Sequence, residues 1–187
     1  MAIKFIDLFA GIGGFHLALH ELGMECVLAC EIDKHARKTY QHNFTEISPD
    51  LFNEGRFFED ITKIDLGTVP DFDLLCAGFP CQPFSQAGYK RGFHEPKDNR
   101  GNMFYEIIRI LNHSRPKAYF LENVRHLINH DEGRTFKTIQ EELNKAGYSF
   151  NYKVVKGTDF NLPQHRPRVF IVGFRCPSSG FLAPLAA

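Results

Sequence analysis

Short apolar runs and helix-spaced stretches alternate along this chain from its first residues, and that alternation dictates a layered α/β architecture. Residues 3–9 (Ile-Lys-Phe-Ile-Asp-Leu-Phe) read as a buried strand. A glycine cluster, Gly11, Gly13 and Gly14, then leads into a helix with Phe15, Ala18, Leu19 and Leu22 at helical spacing, stopped at Gly23. Further strands are expected over 25–31, 56–59, 72–76, 118–121, 148–156 and 168–174, which makes seven. Two more helices follow from Phe104, Ile107, Ile108 and Leu111, and from Phe136, Ile139, Leu143 and Ala146, the latter closed by Gly147. The last two strands are separated by residues 157–167 and read as a hairpin. The pattern predicts a mostly parallel sheet ending in an antiparallel hairpin, with helices on both faces. One domain over residues 1–175 and an unpacked, charge-free tail over 176–187 are expected.

Composition narrows the function classes. No apolar run approaches the roughly 20 residues of a membrane span, and the start Met1-Ala2-Ile3-Lys4-Phe5 lacks a signal-peptide pattern. Five cysteines without paired spacing argue for a reducing, cytoplasmic setting. Cys26 and Cys30 read as packing residues, because no further Cys or His completes a metal site. Lys plus Arg equals Asp plus Glu, so the formal net charge is zero. A protein that grips nucleic acid alone usually carries a basic surface, so any such grip must come partly from elsewhere.

The run Gly78-Phe79-Pro80-Cys81-Gln82-Pro83-Phe84-Ser85 places one thiol between two prolines, after the strand at 72–76. Proline fixes φ and restricts its predecessor, so this backbone is held in one extended shape. A packing thiol needs no such frame, whereas a nucleophile that must attack at a set angle does. Five other features stand at the ends or starts of expected strands. The spacing Gly11-x-Gly13-Gly14 departs from the G-x-G-x-x-G fingerprint, which disfavours NAD or FAD while leaving backbone close to a ligand. Glu31 lies twenty residues past Gly11, where a carboxylate accepts hydrogen bonds from ribose hydroxyls or favours a helix N-terminus. Asp60 stands at the end of the third strand. Glu122, in Glu122-Asn123-Val124, follows the apolar Ala118-Tyr119-Phe120-Leu121, so its pKa is expected to be raised. An exposed turn acid capping the next helix is the plainer alternative. Gln164-His165-Arg166-Pro167-Arg168 offers two guanidiniums for an anion or a base carbonyl, or a solvated strand edge.

In this order the motifs resemble those of the C5-cytosine-specific DNA methyltransferases over roughly residues 3–175. Phe5 to Phe15 looks like the family's cofactor loop, Pro80-Cys81-Gln82 like its nucleophile motif, and Arg100-Gly101-Asn102-Met103-Phe104 like a later one. The resemblance implies a Rossmann-like, S-adenosylmethionine-dependent methyltransferase fold. It implies cofactor contacts from Phe9, Gly11, Gly13, Glu31, Ile32, Asp60, Ile61 and Pro80, and no metal. Cys81 would attack C6 of a flipped cytosine, Glu122 would protonate N3, and Arg166 and Arg168 would favour the thiolate. Residues 87–102 would close over the base.

Two departures qualify the match. The family's aromatic residue after the ribose acid is here Ile32. Complete members continue into a target-recognition domain and two further motifs, where this chain has only residues 176–187. The expected function is the catalytic domain of a restriction-modification methyltransferase acting on double-stranded DNA, with a second subunit supplying the missing half. The alternatives are a truncated, non-catalytic binding module or a tRNA cytosine-5 methyltransferase.

Overall fold

The computed structural model describes residues 2–80 and 103–176. Cys81, the stretch 87–102 and the tail from residue 177 therefore lie outside the described residues. Seven strands form one sheet in the order β3-β2-β1-β4-β5-β7-β6. They are β1 (Lys4–Leu8), β2 (Glu25–Cys30), β3 (Phe57–Phe58), β4 (Leu74–Ala77), β5 (Ala118–Val124), β6 (Asn151–Val155) and β7 (Arg168–Phe174). The first five pair in parallel, while β7 lies antiparallel to both β5 and β6. The expected fold is thus present, with its C-terminal hairpin.

The centre of the sheet explains its sequence. Phe5, Ile6 and Leu8 of β1 are fully buried, as the apolar positions of a strand covered on both faces must be, and the Asp7 side chain between them is buried as well. One face is covered by α4 (Met103–Ser114) and α5 (Arg134–Lys145), which bury Ile107, Leu111, Ile139 and Leu143 at helical spacing. The other is covered by α1 (Gly14–Glu21), α2 (Lys34–Phe44) and α3 (Pro49–Asn53), whose Leu19, Tyr40, Phe44 and Leu51 pack on Phe5 and Cys76. No described helix is long and apolar enough to cross a membrane.

Three details differ from the sequence expectation. Helices α2 and α3 had no visible apolar stripe, because α2 buries only Tyr40 and Phe44 and is fixed instead by its cap. There the Asp33 carboxylate accepts from the His35 and Ala36 N–H groups at 2.9 and 2.7 Å. Leu22 is 72% exposed, since α1 ends at Glu21 and the chain turns at Gly23. The helix buries His16 in place of Ala18 and Leu22. His16 stacks on Phe44 at 3.9 Å between centroids and shares hydrogen bonds with Tyr40 Oη (2.6 Å) and Ser48 Oγ (3.0 Å). Finally, β5 runs through Glu122 and Asn123, because β7 pairs with it as far as Val124↔Arg168.

Candidate active site

The carboxyl ends of β3, β2, β1, β4 and β5 lie on one edge of the sheet, and each carries a residue singled out by the sequence. In spatial order these are Asp60–Ile61, Glu31–Ile32, Phe9–Gly13, Gly78–Pro80 and Glu122. At about 4.8 Å per strand the row spans roughly 19 Å. Because β7 runs the other way, its amino end returns to this edge and brings Arg168 beside β5. A parallel seventh strand would have left that arginine at the opposite edge.

After β1 the chain turns sharply. Phe9 and Gly11 adopt positive φ of 55° and 57°, and Gly13, at φ 97°, lies where a Cβ would overlap the Phe44 ring. The Ala10 N–H donates to the Cys30 carbonyl at 3.0 Å, which ties this loop to the end of β2. Glu31 sits at the junction. Its two oxygens accept the Gly11 N–H at 2.7 Å and the Asp33 N–H at 2.8 Å. One carboxylate thereby fixes both the glycine loop and the start of α2, and its remaining lone pairs can accept from a ligand. Ile32 is 74% exposed on the same edge.

Asp60 caps a short 3-10 turn, Ile61–Lys63, accepting from the Thr62 N–H at 3.0 Å and its hydroxyl at 2.7 Å. Those bonds, with the hydroxyl first, hold its carboxyl below the ordinary range. Ile61 is buried, and its carbonyl accepts from Arg109 at 2.9 Å.

Glu122 is half-buried and paired with Arg168, Nε to Oε1, at 2.7 Å. Burial raises its pKa, and the opposing pull of Arg168 and then Arg166 does not cancel that rise. A Cβ placed on Gly78 would lie 3.6 Å from Glu122 Oε2 and 3.7 Å from the Phe9 carbonyl, so β1, β4 and β5 converge here. The buried Asn123 side chain donates to the Phe79 carbonyl at 2.8 Å. This bond, invisible in the sequence, anchors the backbone one residue before Pro80. Arg166 is exposed and Pro80 lies at the surface, immediately before Cys81.

Three buried thiols, Cys26, Cys30 and Cys76, are unsuited to attack. Burial pushes Cys30 up to about 12 and drives Cys26 and Cys76 higher still. Among the described residues no group of three or more His, Cys, Asp or Glu stands where it could hold a metal ion.

The profile of the C-5 cytosine-specific DNA methylases matches residues 3–181. The type II methyltransferase M.DsaV of Dactylococcopsis salina is 50% identical over 173 residues, which cover 92% of this chain and 46% of that protein. For M.HhaI of Haemophilus parahaemolyticus the identity is 45% over 173 residues, covering 92% and 49%. The chain thus spans about half the length of the curated relatives it matches. In three dimensions it is similar to a crystal structure of a Spodoptera frugiperda DNMT2 variant, with TM-score 0.73 and 24% identity over 95% of this chain and 51% of that one. That likeness speaks for the fold.

Proposed function

The chain belongs to the C-5 cytosine-specific DNA methylase family, and from that premise we propose that it is the catalytic half of a DNA (cytosine-5)-methyltransferase that takes its methyl group from S-adenosylmethionine. The observation that carries the proposal is the Glu122–Arg168 pair at the sheet edge. It is a carboxyl group of raised pKa, one strand from Gly78-Phe79-Pro80, the run that Cys81 follows in the sequence. The donor set also fits the cofactor. Glu31 has carboxylate lone pairs for a ribose diol, Phe9 and Gly11 bring left-handed backbone beside it, and Ile32 offers apolar surface. When bound, S-adenosylmethionine supplies an electrophilic methyl group on a sulfonium.

The chain's own residues do the rest. The Cys81 thiolate adds to C6 of a cytosine swung out of its duplex, forming an S–C6 bond and moving the ring electron pair to C5. Glu122 delivers its proton to N3, so negative charge never accumulates on the ring. After C5 is methylated it loses its proton to water, and the S–C6 bond breaks with its electron pair returning to sulfur. N3 gives its proton back to Glu122, and the C5=C6 double bond and the free Cys81 thiolate return. Arg168 holds Glu122 in place, and its charge with that of Arg166 favours the thiolate. Asn123 fixes the carbonyl before Pro80 and so the direction from which Cys81 approaches.

The half-length match and the neutral charge favour a second polypeptide or segment that reads the target and grips the DNA, in a restriction-modification setting in the cytoplasm. An open groove of about 470 Å³ over β5, β7 and β6, with Phe120, Tyr152, Phe160, Phe170 and Val172 in its walls, suits such a partner. The same half-length match favours one other reading, a module that binds cofactor without catalysis. Transfer of labelled methyl from S-adenosylmethionine to duplex DNA, with the second half of a relative added, separates the two. Transfer that disappears in Cys81→Ser supports the enzyme, and transfer that survives it refutes the mechanism.

A further inference from the structure

The weakest ladder in the sheet lies under the proposed cofactor site. Strand β3 is two residues long, stands at the edge and pairs with β2 at Ala29↔Phe57 and Cys30↔Phe58, the Ala29 and Glu31 N–H groups donating to the Arg56 and Phe58 carbonyls at 3.0 and 3.1 Å. Yet Glu31 leaves β2, and Asp60–Ile61 leave β3, just beyond those pairs. An adenosine held by both segments requires their separation to be fixed to a fraction of an ångström. Two register pairs at an edge are a poor guarantee of that.

Arg37 reinforces this short ladder. From the first half of α2 its guanidinium lies 4.4 Å over the Phe57 ring. One of its nitrogens donates to the Phe58 carbonyl at 2.6 Å and to the Glu31 carbonyl at 3.3 Å. The other terminal nitrogen stands 3.6 Å from the Glu59 carboxylate. One rigid fork thus ties the last carbonyl of β3 to the carbonyl of the ribose acid itself, and the side chain is only 20% exposed. Arg109 holds the same segment from the helix on the opposite face. It donates to the Ile61 and Ile64 carbonyls at 2.9 and 3.2 Å while paired with Glu106. Residues 58–64 are clamped from both layers.

We propose that Arg37 is a positioning residue for the cofactor. It sets the spacing between Glu31 and Asp60–Ile61 by holding the carboxyl ends of β2 and β3 together, without touching the ligand. The proposal rests on the S-adenosylmethionine reading above and deepens it. A purely structural arginine would affect stability alike with and without ligand, whereas a positioning arginine weakens ligand binding beyond any change in stability.

The test measures the dissociation constant of S-adenosylhomocysteine by calorimetry, together with the thermal midpoint with and without that ligand. Wild type is compared with Arg37→Met, Arg37→Lys and the surface control Arg134→Met. Arg37→Met keeps the apolar stem over Phe57 and loses the fork; about tenfold weaker binding and a smaller ligand-induced rise in midpoint are expected. Arg37→Lys, a point charge, restores one carbonyl bond and falls between Met and wild type, and it carries the test if Arg37→Met does not fold. Arg134→Met binds as wild type does. Affinity within twofold of wild type in the folded Arg37 variants, even with a lowered midpoint, overturns the proposal. No binding by wild type would instead overturn the cofactor reading beneath it.

Discussion

Arg168 and Glu122 meet at 2.7 Å although 45 residues separate them, and the reversal of β7 is what joins them. The pair sets two opposing influences on one carboxyl group. Burial favours the protonated acid, and the guanidinium favours the carboxylate. An acid poised between them can give a proton to a ring nitrogen and stay oriented after giving it.

Replacing Glu122 by Gln keeps the shape and removes the transferable proton. Methyl transfer is expected to fall by about 10²- to 10⁴-fold, with S-adenosylhomocysteine affinity within twofold of wild type. Loss of cofactor binding in parallel would assign Glu122 to the wrong ligand.

The pH dependence follows from the same pair. Because the Glu122 pKa is raised, its protonated fraction falls as pH climbs through that value, and single-turnover transfer should decline on the alkaline side. Arg168→Met removes the influence that lowers the pKa, so this decline should move to higher pH. A limb that stays in place or moves to lower pH would contradict the assignment.

His16 gives a prediction about stability. Burial, then the charge of nearby His20, lowers its pKa from 6.5 to about 4. A histidine depressed in the folded state contributes stability that is present above the unfolded pKa and lost as pH falls through the folded one. The loss between pH 6.5 and 4 should be on the order of 3 kcal/mol, read from urea unfolding as wild type minus His16→Gln. The difference isolates His16 from Asp7, whose carboxyl burial raises well above the usual range and whose contribution runs the other way.

Gly13 tests the loop at the proposed cofactor site. At φ 97° and against the Phe44 ring, Gly13→Ala is expected to lower the thermal midpoint by several degrees, through backbone strain of roughly 1–2 kcal/mol plus overlap. Adding Phe44→Leu should recover part of that loss, because only the overlap is relieved. Strict additivity in the double variant would place the cost entirely in the backbone.

The strands and the edge residues were legible because central parallel strands are written as unbroken apolar runs, and their ends are marked by Gly, Pro or acid. Leu74 to Ala77 is of this kind, and Phe5 to Leu8 is interrupted only by the buried Asp7. Helix α2 was not legible, since only Tyr40 and Phe44 face inward and the rest is polar. Asn123, Arg37 and Arg109 escaped notice for a related reason. Their partners are backbone carbonyls 44, 21 and 48 residues away, and a carbonyl leaves no mark in a sequence. Glu122 was placed after its strand because the apolar run stops at Leu121, whereas the ladder to β7 carries the strand on to Val124.

The central claim is that Cys81 forms a bond to a cytosine ring. It is tested most directly with a duplex carrying 5-fluorocytosine, which cannot lose the C5 substituent and so traps the adduct. The protein, S-adenosylmethionine, the second half of a relative and this duplex are incubated together, and the digest is analysed by mass spectrometry. A covalent adduct on the peptide containing Cys81, absent in Cys81→Ser, is the predicted result. An adduct that persists in Cys81→Ser, or a complex that binds cofactor and DNA yet forms none, would contradict it.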